Sequence, residues 1–437
     1  CICELNYGRY IFYVLFLIVV SFDLFSQINE SFSDGDMSFN PRWEGCVSDF
    51  RVNRYNQLQL INSVSSGSTY SSHIGFRSDL CNDAEWEIYV KLPFSLSGSN
   101  YMRVYLVSDI LEFMDSKQAY YLKIGGESGN GDRIELIKQG ESGDSVIIEG
   151  RYGIAGGSYN TLRIKVVHDN GGKWQLFCDR YGGMCYSFEG EGYDNSISFS
   201  NYFGIVCIYT SSNSDKFYVD DIIINRYKGD SCRIGVEAVV CSDSSVYVYY
   251  NKPFDISSVM DLTKYNIVGL SIYSIEIDET GCNVVRLNTV DKLSKNVDYT
   301  IKLSGIYDVN KYSYIDTIIK FDYADESAFD IVMSEVMVNP IVSVGLPSYE
   351  YVELYNRSDR DIMLDDYKLL INGNEIKLRS SYIKSKNYLL VVPSDGSKEY
   401  YKISCSGNIY SVGNFPNISN EGGELLLAGC QGEYIYS

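Results

Sequence analysis

The chain has 437 residues, 57 of them acidic and 37 basic, for a formal net charge of −20. That length exceeds what one hydrophobic core organises and calls for two to four domains. With 45% hydrophobic and 22% charged residues the composition is globular rather than disordered. The acidity repels phosphate backbones and argues against nucleic acid as a partner.

Two histidines, His73 and His168, are too few for a zinc hydrolase, which gathers two or three imidazoles in a recognisable spacing. No His-Glu-x-x-His pattern and no Gly-x-Ser-x-Gly elbow accompanies either, so a Ser-His-Asp triad has no anchor. Both read as strand or loop residues. Forty tyrosines and an aromatic share of 14% suit pleated, half-buried surfaces and lean the chain towards sheets.

In chain order, Arg9 precedes the apolar run Tyr10 to Val20, and Ser21 to Gln27 follow with Asp23 among them. A positive residue, about ten apolar residues and a polar exit describe a signal peptide over 1–27. The run is shorter than the roughly 20 residues a membrane span needs, so no span is expected after signal removal. The expected location is secreted or at the outer cell surface, reached through the periplasm. Cys1 and Cys3 would leave with this segment. Ten cysteines remain, at 46, 81, 178, 185, 207, 232, 241, 282, 405 and 430, with no Cys-x-x-Cys pair among them. Structural disulfides and buried free thiols both stay open.

From Ile28 to Tyr227 short stretches alternate apolar and polar residues: Trp86 to Leu92, Met102 to Val107, Arg163 to Val167 and Lys216 to Val219. Period-two alternation predicts half-buried strands. The clusters Gly125 to Asp132 and Asp169 to Gly172 predict turns between them, and the whole reads as a sandwich. Phe32-Ser33-Asp34-Gly35-Asp36, Pro41 to Gly45, Gln57 to Leu60 and the closing Lys216 to Ile222 resemble concanavalin A-like (LamG-like) jelly rolls of secreted Bacteroidota proteins. That resemblance spans nearly the whole region and implies a jelly roll over 28–227, a fold shared by lectins, accessory modules and hydrolases.

The second region, 228–324, carries strand-like Val246 to Tyr250, Val284 to Leu287 and Tyr299 to Leu303. Asn251-Lys252-Pro253-Phe254-Asp255, Tyr265-Asn266-Ile267 and Gly305 to Asn310 resemble bacterial Ig-like domains, which implies one sandwich acting as a spacer. In the third region, 329–437, Ile331 to Pro340, Glu350 to Ser358 and Ile362 to Leu369 resemble the lamin-tail domain. Ser334, Asp366 and Tyr367 stand where that family has Asn, Gly and Trp. Asn417 to Ala428 matches its turn and strand, and Gln431 to Tyr436 supplies a hairpin partner. The family's closing strand would follow Ser437, so a C-terminally truncated lamin-tail domain is expected, with an exposed edge. The fold class is therefore all-β: a signal peptide, then three consecutive β-sandwich domains (jelly roll, Ig-like and lamin-tail Ig-like).

Few residues point to chemistry. Glu276, Asp278 and Glu279 resemble part of a laminarinase-type Glu-x-Asp-x-Glu strand, but strand alternation sets 276, 278 and 280 on one face, and residue 280 is Thr. Asp220 and Asp221 are oxygen donors suited to calcium, yet lack the ligand spacing of a known loop and read as an exposed strand pair or turn. Gly125 to Asp132 lacks the Gly-Lys-Ser/Thr of a phosphate loop. Glu335, Glu350 and Glu353 are expected to cap strand ends or pair with neighbours such as Arg357. Exposed Tyr and Trp of the jelly roll are candidate sugar-stacking residues, although single aromatics mostly pack in cores. No catalytic residue, metal site or cofactor is expected, and no binding residue is assigned. The leading expectation is a non-enzymatic, modular exported protein whose partners are glycans or other envelope proteins. The rival is a glycan-binding or glycan-hydrolysing enzyme using the jelly roll. Amino-terminal sequencing of exported protein is expected to begin near Gln27; a start at or before Arg9 would contradict the signal peptide.

Overall fold

A computed structural model describes residues 28–127, 129–277, 283–323, 327, 329–340, 347–396, 400, 408–429 and 434–436. The signal-peptide segment lies outside them. Within them the fold is all-β, with α-helix confined to short stretches such as the single turn Ile256–Val259. None of the described helices is long and apolar enough to cross a membrane.

Three separate hydrophobic cores follow one another along the chain: Phe32 to Ile224, Ile234 to Phe321, and Ile331 to Leu427. The first lies between an eight-stranded and a seven-stranded antiparallel sheet. The larger sheet runs Ser187–Tyr193, Lys173–Asp179, Asn160–His168, Ala84–Leu92, Tyr218–Arg226, Leu58–Leu60 and Phe50–Val52, with Ile28–Glu30 also paired to Tyr218–Arg226. The other runs Gly143–Glu149, Ile134–Gly140, Gln118–Ile124, Tyr101–Ser108, Tyr202–Tyr209, Tyr70–Arg77 and Glu44–Gly45. Alternation explains the inside: Trp86, Ile88 and Val90 face inwards from one strand, as do Ile164 and Val166 from the next. All three tryptophans are core residues, with Trp86 and Trp174 stacked at 5.8 Å between centroids. Phe177, whose ring faces the other way, belongs to the outer face described below.

The seven-stranded sheet closes its own outer face. The loop carrying Phe113 folds back over Tyr105, Tyr121, Val206 and Ile208 as a second small core. Phe113 fits because Gly204 lies beneath it: a Cβ there would sit 2.0 Å from Phe113 Cζ. The amide of Gln139 fastens the loop by donating to the carbonyls of Phe113, Met114 and Ser116.

The second sandwich packs a four-stranded sheet (Val236–Cys241, Ser245–Tyr250, Val284–Thr289, Ile272–Ile277) on a three-stranded one (Tyr265–Ile267, Asp298–Tyr307, Tyr314–Asp322). The third combines Ile331–Met337, Tyr351–Asn356, Tyr388–Pro393 and a parallel Asn408–Val412 with the sheet Asn374–Lys377, Lys368–Ile371, Leu425–Ala428 and Tyr434–Tyr436. A two-stranded pair, Ile362–Met363 with Tyr382–Ile383, joins them. Tyr367 fills the core of this third sandwich. Tyr434–Tyr436 is the antiparallel partner of Leu425–Ala428.

Each sandwich touches the other two. Gln175 of the first donates to Asn310 of the second at 2.8 Å. Tyr247 of the second donates to Asp365 of the third at 2.7 Å, and the rings of Tyr249 and Tyr382 lie 4.4 Å apart in a shared apolar cluster. Asp395 of the third accepts from Lys91 at 2.6 Å and from Tyr159 at 2.7 Å in the first.

The contacts that the first sandwich makes with the other two centre on the outer face of its eight-stranded sheet, which strand register divides into four rows. They are Arg51–Gln59–Tyr218–Lys91, then Asp220–Tyr89–Arg163–Asp179, then Ile223–Glu87–Lys165–Phe177, then Asn225–Glu85–Val167–Gln175. In the second row a bulge after Asp220 places Asp221 against Arg163 at 2.9 Å, both side chains 5% exposed. Removing one partner of such a pair strands the other charge out of water. Arg163→Met is therefore expected to lower unfolding stability by about 3–5 kcal/mol in urea denaturation.

His168, also fully buried, lies parallel to Trp174 at 3.8 Å and bonds through Nδ1 to the carbonyl of Cys81 at 2.8 Å. Burial holds its pKa below the ordinary 6.5. The folded state thus keeps the ring neutral where the unfolded chain takes up a proton. Its share of stability is intact above about pH 6.5 and is lost as pH falls towards the depressed folded value. Relative to His168→Gln, the wild-type chain is expected to lose up to ~1.4 kcal/mol per pH unit across that window, read from melts at pH 8 to 5; parallel pH profiles would contradict it.

Candidate functional site

The third and fourth rows of that outer face form the floor of a cleft of about 1,580 Å³ between the first and second sandwiches. Lys165, Val167, Gln175 and Phe177 come from the sheet, and the turn at Asn170 and Gly171 closes one end. The opposite wall is Asn251 to Pro253 and Val309 to Tyr312, and the segment Lys228 to Cys232 that joins the two sandwiches forms the back.

The opposite wall is built around a buried ammonium. Lys252 bonds to Asp230, to Asp308 at 3.4 Å and to the carbonyl of Cys232 at 2.9 Å. Asp308 in turn accepts the backbone N–H of Tyr312 at 2.9 Å and the Ser313 hydroxyl at 2.6 Å. That ring of bonds shapes the turn and leaves the Tyr312 side chain 80% exposed at the cleft mouth. Tyr227 and Tyr186 add two further phenols, and Asn170, Asn225, Gln175, Asn251 and Asn310 add five carboxamides, each both donor and acceptor.

Of the four lining carboxylates, Asp83, Glu85, Asp169 and Asp230, three are engaged in structure. Glu85 pairs with Lys165 at 3.1 Å, Asp230 with Lys252, and Asp169 accepts the N–H groups of Gly171 and Lys173 across its hairpin turn. Among the described residues no group of three or more His, Cys, Asp and Glu is placed to hold a metal ion.

The residues singled out in the sequence fall elsewhere. Asp220 and Asp221 are not an exposed pair: both are buried, and the bulge turns Asp221 onto Arg163. Glu335, Glu350 and Glu353 do not pair with Arg357; they accept from the Tyr351 hydroxyl, the Ile418 N–H and the Ser334 hydroxyl. Glu276 accepts from Asn288, while Asp278, Glu279 and Thr280 lie outside the described residues. The segment around Gly125 to Asp132 joins two antiparallel strands, with Gly125 N–H on the Arg133 carbonyl and no helix after it. His73 sits 3.7 Å from the Cys46 sulfur on the opposite sheet. The seven described cysteines are free thiols, and Cys232 at the back of the cleft is exposed. The tryptophans, being core, offer no stacking surface; the exposed ring at the cleft is Tyr312, which lies two residues past Gly305 to Asn310 and carried no sequence signal of its own.

No family model matches the chain, and no curated protein matches it. Solved structures that it resembles include the carbohydrate-binding module CBM66 from Bacillus subtilis, at 15% identity over 42% of this chain and 94% of that one, with a TM-score of 0.29. A legume lectin-like domain from Entamoeba histolytica matches at 14% identity over 42% and 88%, TM-score 0.30. A xylan β-1,4-xylosidase from Bacillus halodurans matches at 13% identity over 45% and 39%, TM-score 0.32.

Proposed function

We propose that this chain is a non-catalytic, exported glycan-binding protein that holds a stretch of polysaccharide in the cleft between its first two sandwiches. The observation that carries this reading is the lining of that cleft: an exposed tyrosine and five carboxamides, while the carboxylates of Glu85, Asp169 and Asp230 are engaged. Of the carboxamides, Gln175 and Asn310 bond to each other and Asn251 bonds to the Gly235 N–H and the Arg233 carbonyl, leaving Asn170 and Asn225 to meet a ligand. Carboxamides meet sugar hydroxyls as donor and acceptor at once, and an aromatic face takes the apolar face of a sugar ring. With three of the four lining carboxylates engaged, Asp83 has no ready acid–base partner in the cleft, which supports binding without turnover. The second and third sandwiches, similar in sequence to Ig-like and lamin-tail domains, serve as wall and support, with display at the cell surface.

The test is a glycan array probed with the full chain, followed by calorimetry on any hit and a reducing-sugar assay. Binding of a neutral polysaccharide is expected, with Tyr312→Ala weakening it about tenfold, equivalent to ~1.4 kcal/mol. Absence of binding across the array, or turnover abolished by substituting a cleft carboxylate, would overturn the proposal.

A further inference from the structure

The first row of the same sheet face, across the Asp395 contact from the cleft, makes a separate pocket of about 350 Å³. Its lining is Arg51, Asn53, Arg54 and Tyr55 from the hairpin joining Phe50–Val52 to Leu58–Leu60, with Gln59, Tyr218 and Lys91. We propose that this pocket binds the carboxylate of an acidic sugar residue, a uronate, between Arg51 and Arg54. The choice of a sugar rests on the glycan-binding reading; the acidic class rests on the pocket's own chemistry.

Four observations converge. Arg51 is held by a neutral group: Gln59 Oε1 accepts from its Nε at 3.4 Å and from a terminal nitrogen at 3.2 Å. Gln59 is 7% exposed, and its own amide donates to the Asp215 carbonyl at 2.8 Å and the Tyr218 hydroxyl at 3.3 Å, so the acceptor cannot swing away. The guanidinium is thus positioned without being neutralised. Arg54 lies over the Tyr55 ring at 4.6 Å, and Tyr55 stacks on Tyr349 of the third sandwich at 6.0 Å, which steadies the second guanidinium. Neither arginine makes an ion pair with a carboxylate among the described residues, in a chain where acids outnumber bases by 20.

The remaining cation of the row shows what this surface accepts. Lys91 is met by a carboxylate, that of Asp395, which also takes the Tyr159 hydroxyl. One acid therefore already sits at this end of the sheet, supplied by the chain itself, and the two guanidiniums lining the pocket have no carboxylate partner among the described residues. The planar fork of arginine fits a carboxylate with two parallel bonds. A long polyanion would meet repulsion from the surrounding net charge, whereas a short oligouronate with one carboxylate seated between the arginines meets mainly the local cations. The volume is at the small end of ligand pockets, ~300–1,000 Å³, and suits one charged residue of a longer glycan.

The experiment titrates the full chain with trigalacturonate, its methyl ester and neutral galactotriose. Trigalacturonate is expected to bind at least tenfold more tightly than the ester or the neutral trisaccharide, with the advantage shrinking as salt rises. Arg54→Gln and Arg51→Gln should each remove about tenfold of that preference. Arg54 lies on an exposed turn, so its variant keeps the test decisive if Arg51→Gln disturbs the sheet. Tyr273→Ala, at an exposed ring of the second sandwich outside both the cleft and the pocket, should leave trigalacturonate binding unchanged. Equal binding of acid and ester, or unchanged affinity in both arginine variants, would overturn the proposal. Neutral-glycan binding on the array alongside any of these would leave the cleft reading standing, so the two fail separately.

Discussion

The outer face of the eight-stranded sheet is arranged around a charge pair that water does not reach. Arg163 and Asp221 are both 5% exposed, and Asp179, on the same row, is buried as well, with its pKa raised by that burial although the N–H groups of Tyr181 and Cys185 bond to it. Charges so placed are tolerable only with matched partners and a sealed surround. The seal comes from outside the first sandwich: the carbonyl of Ser394 lies over Gly182, and Asp395 beside it bonds to Lys91 and Tyr159. The sheet consequently has two faces of opposite kinds. Its inner face is held by apolar area, and its outer face by directional bonds that fix which surfaces dock where.

Much of the all-β architecture was legible in the sequence, because period-two alternation is local. Trp86 to Leu92 announces a strand that the structure extends to Ala84–Leu92, and Asp169 to Gly172 announces the hairpin turn that follows Asn160–His168. The candidate sites were not legible, for a physical reason. Arg51, Gln59, Tyr218 and Lys91 become neighbours only through the order and register of four strands, two of them distant in the chain from the hairpin that carries the others. Asp220 and Asp221 misled because a bulge reverses the side expected from alternation, and alternation was the only guide to exposure. Tyr312 looked like any turn tyrosine. Its display depends on a bond from its backbone to Asp308, and that carboxylate is held by a lysine far back in the chain.

Net charge is also a poor guide to local chemistry here. A total of −20 describes the field at a distance, where it discourages polyanions. Close to the sheet, screening confines each charge to roughly 8–10 Å, and what matters is which neighbours are ionic. Lys165 and Lys252 are each matched by carboxylates, so the cleft is polar without strong local charge. Arg51 is matched by an amide, so its surroundings are not.

The contacts between sandwiches form a closed circuit: first to second through Gln175 and Asn310, second to third through Tyr247 and Asp365, third back to first through Asp395. Three bodies strung on two flexible linkers would have two independent hinges. Three bodies joined pairwise make a triangular truss, in which no side can open without breaking another. The cleft wall carried by Tyr312 cannot then clamp down on a ligand as a jaw does. Its width is set when the chain folds, so a ligand longer than the cleft could slide through it lengthwise, while a ligand too thick for it would be refused outright.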